Sequence, residues 1–216
     1  VENRELDWPK ITERLSKHSV AVVKGGRYFV GGAFADHRRQ ETSLLCRSML
    51  TIDIDKVPEG VDIIDLEADL QFSIPYAFVA YSTFSHTPER PRIRLIVPLS
   101  RDVSPGEYRE VSRDFVNLLS GMVRKGVDNC SFVPNQFMYM PICPDLSSAW
   151  SLVQDGEPYE VPEFMVLDYA SKPKAKKAKP AKTVEVAAGV EVGAVDADEA
   201  VVDEDEADIE IGRAHV

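Results

Sequence analysis

The chain has 216 residues, 44% hydrophobic and 28% charged, enough to bury one sizeable core; its formal net charge of −11 argues against a domain that grips nucleic acid by bulk positive charge. Cys46, Cys130 and Cys143 lack the paired short spacings of a zinc site. No apolar run approaches the roughly 20 residues of a membrane span, so the sequence reads as a soluble protein of a reducing cytoplasm, bacterial or host, with no membrane partner.

In chain order, Leu6, Ile11 and Leu15 predict an amphipathic helix leading into Val20-Ala21-Val22-Val23. Gly25-Gly26 and Tyr28-Phe29-Val30 then predict a strand pair closed by a tight turn before Gly31-Gly32. Met49-Leu50-Thr51-Ile52-Asp53-Ile54-Asp55 alternates as a strand does. After the Pro58-Glu59-Gly60 turn, Ile63, Leu66 and Leu70 recur at helical spacing. Tyr76-Ala77-Phe78-Val79-Ala80-Tyr81 is apolar throughout, as a central strand is, and Ile93-Arg94-Leu95-Ile96-Val97 predicts another. Ser104-Pro105-Gly106-Glu107 is a capping box with proline at the first helical position, followed by a stripe from Tyr108 to Met122 that Gly126 would stop. Gln136-Phe137-Met138-Tyr139-Met140 predicts a last strand, closed by Pro141. The fold class read from this order is α+β, a mainly antiparallel sheet with helices packed on one face.

Residues 1–170 hold this core. Residues 171–182 form a linker with six lysines, and residues 183–216 an acidic low-complexity tail with eleven Asp or Glu against Arg213. Neither buries enough apolar surface to offset the entropy of ordering, so both read as disordered. The closing Ile-Gly-Arg-Ala-His-Val resembles one translated frame of a sequencing adaptor and is given no functional weight, and the chain is expected to be a piece of a longer one. Without these segments residues 1–170 carry 18 basic and 25 acidic groups, so phosphate binding there must rest on local arginine clusters plus metal. Arg38, Arg39 and Arg47 form one cluster, read as nucleic-acid-binding; Arg90, Arg92, Arg94 and Arg101 form another.

The chemistry centres on Asp53-Ile54-Asp55. A strand points every second side chain to one face, so both carboxylates project together while Leu50, Ile52 and Ile54 are buried opposite. Such an acidic pair is either a solvated strand end or a site for a divalent cation, and hard carboxylate oxygens suit Mg²⁺ or Mn²⁺. Arg92 and Arg94 share one face of their strand by the same alternation.

Asp53-x-Asp55, then Ser85-His86-Thr87-Pro88-Glu89-x-Pro91-Arg92-x-Arg94, then Val127-Asp128 followed by Asn135-Gln136-Phe137-Met138-Tyr139, resemble the three motifs of the archaeo-eukaryotic primase superfamily, in its phage and plasmid primase-polymerase branch. The resemblance spans roughly residues 20–165. It implies an RRM-like core, a metal site of Mg²⁺ or Mn²⁺ held by Asp53, Asp55 and Asp128, and a nucleotide subsite drawn from Ser85, His86, Arg92 and Arg94. His86, Arg92 and Arg94 are joint candidates for the triphosphate. Many relatives carry arginine where Gln136 stands, a contact that Arg94 would supply.

The function this implies is metal-dependent nucleotidyl transfer from nucleoside triphosphates onto a single-stranded DNA template, in a phage- or plasmid-type replication system and in company with a helicase. Two rivals are weighed: an Asp-x-Asp glycosyltransferase, which leaves the Pro91-Arg92-x-Arg94 strand without a role, and a non-catalytic replication-initiation or single-strand-binding module.

Overall fold

A computed structural model describes residues 2–36, 38–163 and 209–215 of the chain. Along it run β1 (Glu2–Asp7), α1 (Trp8–Leu15), β2 (Ser19–Val20), β3 (Tyr28–Val30), β4 (Gly32–Phe34), β5 (Leu44–Ile54), α2 (Ile63–Ser73), β6 (Phe78–Ser82) and β7 (Ile93–Val103). There follow α3 (Pro105–Leu118), α4 (Gly121–Gly126), β8 (Met138–Tyr139), β9 (Ile142–Cys143), β10 (Ser151–Gln154) and β11 (Ile209–His215).

The alternation expected of these strands decides the architecture. β10, β6, β7, β5 and β4 hydrogen-bond in that order, every pair antiparallel. Leu50, Ile52, Ile54, Phe78, Ala80, Leu95 and Val97 bury one face against Leu66 and Leu70 of α2, Val111 and Phe115 of α3 and Val123 of α4. Met49, Val79, Tyr81 and Ile96 bury part of the other face against Trp8, Ile11 and Leu15 of α1, with Phe29 and Met138. The fold is thus α+β with a mainly antiparallel sheet, as the sequence reads, but α1 covers the face opposite α2, α3 and α4, so the helices are not confined to one face. Among the described residues no helix is long and apolar enough to cross a membrane.

Local signals hold where side chains cap backbone. Ser104 Oγ accepts from the Glu107 amide and Glu107 Oε2 accepts from the Ser104 amide, closing the capping box that starts α3. Asp62 and Asp65 make the same box at α2.

Several expectations change. Leu6 stands in β1, with α1 starting at Trp8, and β9 and β10 follow the strand at Met138–Tyr139 that the sequence reads as the last. The long helix from Ser104 ends at Leu118, because Ser120 caps a separate helix, its hydroxyl accepting from the Val123 amide. The strand pair around Gly25-Gly26 does not form: β2 runs parallel to β9 and β3 antiparallel to β8, and Val22 and Val23 are exposed. Gly26 in that connection has a φ of 97°, a conformation that favours glycine. The Lys-rich linker and residues 183–208 lie outside the described residues, while Ile209–His215, expected to take no part in the fold, pairs parallel with both β1 and β3 through its backbone.

Candidate functional site

β7 lies between β5 and β6 in a register that sets Asp53, Arg94 and Tyr81 side by side across three strands. This juxtaposition is what the shared face of Arg92 and Arg94 anticipates once their strand adjoins β5. Arg94 Nε stands 3.6 Å from Asp53 Oδ1, with only 9% and 14% of the two side chains exposed. That separation is too long for a hydrogen bond, and both atoms are buried and make none. The Tyr139 carbonyl accepts from Arg94 Nη1 at 3.2 Å and from the Tyr81 hydroxyl at 2.9 Å, so β8 roofs the pair.

The third carboxylate arrives by backbone bonding. Beyond Arg47 no strand among the described residues pairs with the edge of β5 away from β7, and the segment after α4 covers it instead. The Asp53 amide donates to Ser131 Oγ, the Asp55 amide to the Gly126 carbonyl, and the Asp128 amide to the Asp53 carbonyl at 2.8 Å. Asp128 is thereby pinned beside Asp53. Its carboxylate accepts from the Cys130 amide, which holds it below the usual carboxylate range. Burial raises the pKa of Asp53; Arg94 opposes the shift, and the charges of Asp55 and Asp128 add to it.

The donor set bears on which metal could bind. Asp53, Asp55 and Asp128 supply hard oxygens, one of them buried without a donor, a chemistry that fits Mg²⁺ or Mn²⁺. Among the described residues no three His, Cys, Asp or Glu side chains already converge as a metal cage. Asp53 Oδ1 faces Arg94 instead, and Asp128 is engaged by Cys130. Burial, with Asp128 and Asp53 beside it, pushes the Cys130 thiol up to about 12, so it is a neutral neighbour.

His86 is buried at the start of the loop leading to β7. Its Nδ1 accepts from the Arg92 amide at 3.2 Å, which leaves the neutral ring's proton on Nε2. Burial, with the nearby His18, lowers its pKa. Ser85 is exposed beside it. Arg92, half-buried, shares with Asp55 the wall of an open cleft of about 780 Å³ that Lys56, Glu59, Glu89 and Arg90 also line.

The proposed nucleic-acid cluster is corrected at Arg47. That side chain is fully buried; its Nε donates to the Gly31 carbonyl at 2.8 Å, Nη1 to the Pro134 carbonyl at 2.6 Å, and Nη2 to the Met49 carbonyl and Thr51 Oγ1. Its guanidinium carbon also lies 4.1 Å from the centre of the Tyr108 ring. It cannot reach a ligand. Arg38 is exposed, and Arg39 is half-buried over the Phe137 ring, donating to the Asn135 carbonyl.

Sequence reasoning missed Tyr81 and His18. Alternation within Phe78–Ser82 would have placed Tyr81 on the acidic face. His18, whose Nε2 meets the Ser82 carbonyl at 3.0 Å, has no local signal, since its partner lies 64 residues away.

Comparison with known families gives one finding: the model of the VapE N-terminal domain matches residues 2–172. No curated protein and no solved structure matches the chain significantly.

Proposed function

The chain belongs to the VapE N-terminal domain family, a family associated with phage and plasmid replication, and from that premise we propose that it is a primase-polymerase domain joining nucleotides on a single-stranded DNA template. The observation that supports this is the Asp53–Arg94 pair: a carboxylate oxygen and a guanidinium nitrogen, buried 3.6 Å apart, neither hydrogen-bonded, flanked by Asp55, Asp128 and Arg92. Buried polar atoms left unpaired are costly. A ligand bearing both cation and phosphate would satisfy them together.

In this reading Asp53, Asp55 and Asp128 hold Mg²⁺ or Mn²⁺, which when bound supplies charge stabilisation at the attacking and leaving oxygens of phosphoryl transfer. Arg94 and Arg92 bind the triphosphate, Arg94 turning its free Nε from Asp53 to a phosphate oxygen. The neutral His86 offers its Nε2 proton to the same tail. Tyr81 and the Tyr139 carbonyl fix Arg94 from behind.

The test is incorporation of labelled dNTPs or NTPs on a single-stranded template with Mg²⁺ or Mn²⁺, with and without a primer. Extension by the wild type and none by Asp53→Ala is the expected outcome. A second reading draws on the lack of a converged three-ligand cage among the described residues. A non-catalytic module would bind single strands and extend nothing, and that result would replace the first reading.

A further inference from the structure

On the far side of β8 from the Arg94 pair lies a second cleft, of about 360 Å³, lined by Arg14, Lys17, Ser19, Arg27, Met140 and Pro141. Its side chains come from α1 and the link after it, from β2, from the connection between β2 and β3, and from the link between β8 and β9. Among the described residues its lining holds three cations and a hydroxyl and no carboxylate. This stands out in a folded part with more acids than bases. Lys17 pairs with Glu13 at 2.6 Å, but both side chains are mostly exposed, and such a bridge is weak enough for an anion to displace.

The cleft adjoins the candidate site through the backbone. The Met140 amide donates to the Arg27 carbonyl and the Ser19 amide to the Pro141 carbonyl, while the preceding Tyr139 carbonyl holds Arg94 and Tyr81. Next to Ser19, His18 bonds Ser82 and packs edge-on to Tyr81. One short stretch, residues 139–141, thus separates a concave cationic surface from the paired Asp53 and Arg94.

From this arrangement we infer that the Arg14–Lys17–Arg27 cleft binds the phosphate backbone of single-stranded nucleic acid and leads it to the site. The inference rests on the proposed function for the identity of the strand. Its chemistry fits: arginine forks and a lysine point charge neutralise phosphates and carry no sequence preference. It moves the nucleic-acid track from the Arg38, Arg39 and Arg47 cluster, one member of which is buried, to a face whose cationic residues are all exposed.

The experiment is fluorescence anisotropy of the full chain with a labelled oligothymidylate of about 20 nucleotides, with and without a 5′-phosphate, across a salt series. The variants are Arg14→Gln/Lys17→Gln/Arg27→Gln and, as comparison, Arg38→Gln/Arg39→Gln. The triple variant is expected to lose roughly tenfold or more in affinity, with the slope of log K against log salt falling by about 0.7 for each phosphate contact removed, whether or not the 5′-phosphate is present. Its melting temperature and its binding of nucleoside triphosphate should stay unchanged. Equal affinity and slope in the triple variant would overturn the inference, as would loss confined to the Arg38/Arg39 variant. Loss seen only with the 5′-phosphorylated strand, or only for inorganic phosphate, would overturn the backbone assignment. A wild type that incorporates nucleotides while the triple variant binds strands normally isolates failure of this inference; a wild type that neither incorporates nucleotides nor binds strands removes the proposed function as well.

Discussion

Two buried arginines stand in the central sheet, Arg47 on β5 and Arg94 on β7, and their surroundings differ in kind. Among the described residues Arg47 has no acid beside it in a salt bridge, yet each of its guanidinium nitrogens donates to a carbonyl or to Thr51. Burial lowers its pKa, and the phenol group of Tyr108 works the other way. Arg94 has an acid opposite and one carbonyl, and its Nε makes no hydrogen bond. Burial disfavours its charge too, but Tyr81 and Asp53 outweigh that and raise its pKa. The lesson is that a satisfied buried cation is architecture, joining Gly31, Pro134 and β5, whereas an unsatisfied one beside an unsatisfied carboxylate is a place prepared for something else.

That contrast can be broken most decisively at the structural end. Arg47→Met takes the side-chain donor from the Pro134 and Met49 carbonyls, while the Gly31 carbonyl keeps the Ser48 amide, so at about 1 to 3 kcal/mol for each group left unpaired urea denaturation should show a loss on the order of 2 to 5 kcal/mol or no folded protein. Arg94→Met should fold. If the two variants were equally destabilised, the distinction between them would collapse.

At the functional end, Asp53→Ala should lower metal-dependent incorporation by at least about 100-fold while the protein stays folded. Circular dichroism melts alongside the extension assay check both halves. Near wild-type incorporation would remove Asp53 from catalysis.

Arg94→Ala should raise the apparent KM for nucleotide by about 1.5 to 3 kcal/mol, the range for a hydrogen bond to a charged group, with partial rescue by Lys, which keeps charge and loses the fork. A change confined to template affinity would assign Arg94 to the strand instead.

The smallest effect sharpens the role of His86. Its pKa is lowered in the folded state, so the stability it contributes is present above the unfolded value near 6.5 and is lost as pH falls through the folded one. Melting temperature should therefore drop between about pH 7 and 5, with at most about 1.4 kcal/mol per pH unit from each such histidine. His86→Asn keeps an acceptor for the Arg92 amide and cannot titrate, so the drop should shrink.

Local chemistry was legible in the sequence where a side chain acts on its own neighbourhood. The Ser104–Glu107 box and the buried face of β5 both follow from spacing within one element. What did not show was set by long-range pairing. Asp128, which the family resemblance names and no local pattern does, is tied to Asp53 by a backbone bond across 75 residues, and Arg47 finds the Pro134 carbonyl across 87, so no local pattern separates it from Arg38 and Arg39. Ser120 was a missed local sign: a serine before Gly121 caps a new helix as readily as it interrupts an old one. The β2–β3 turn failed because each strand had a better partner elsewhere, in β9 and β8.

The edge of β5 carries one more consequence. Its outward amides at Thr51 and Asp53, and the Asp55 amide just past it, end on the Tyr108 hydroxyl, the Ser131 hydroxyl and the Gly126 carbonyl. A row of open amides on a long apolar strand is a template on which a second molecule can add and grow into fibrils. Here three groups from separate elements cap it, so the arrangement that seats Asp128 is also a guard against self-association. Substituting Ser131 would thus be felt first as a protein that clumps on concentration, before any change in its chemistry.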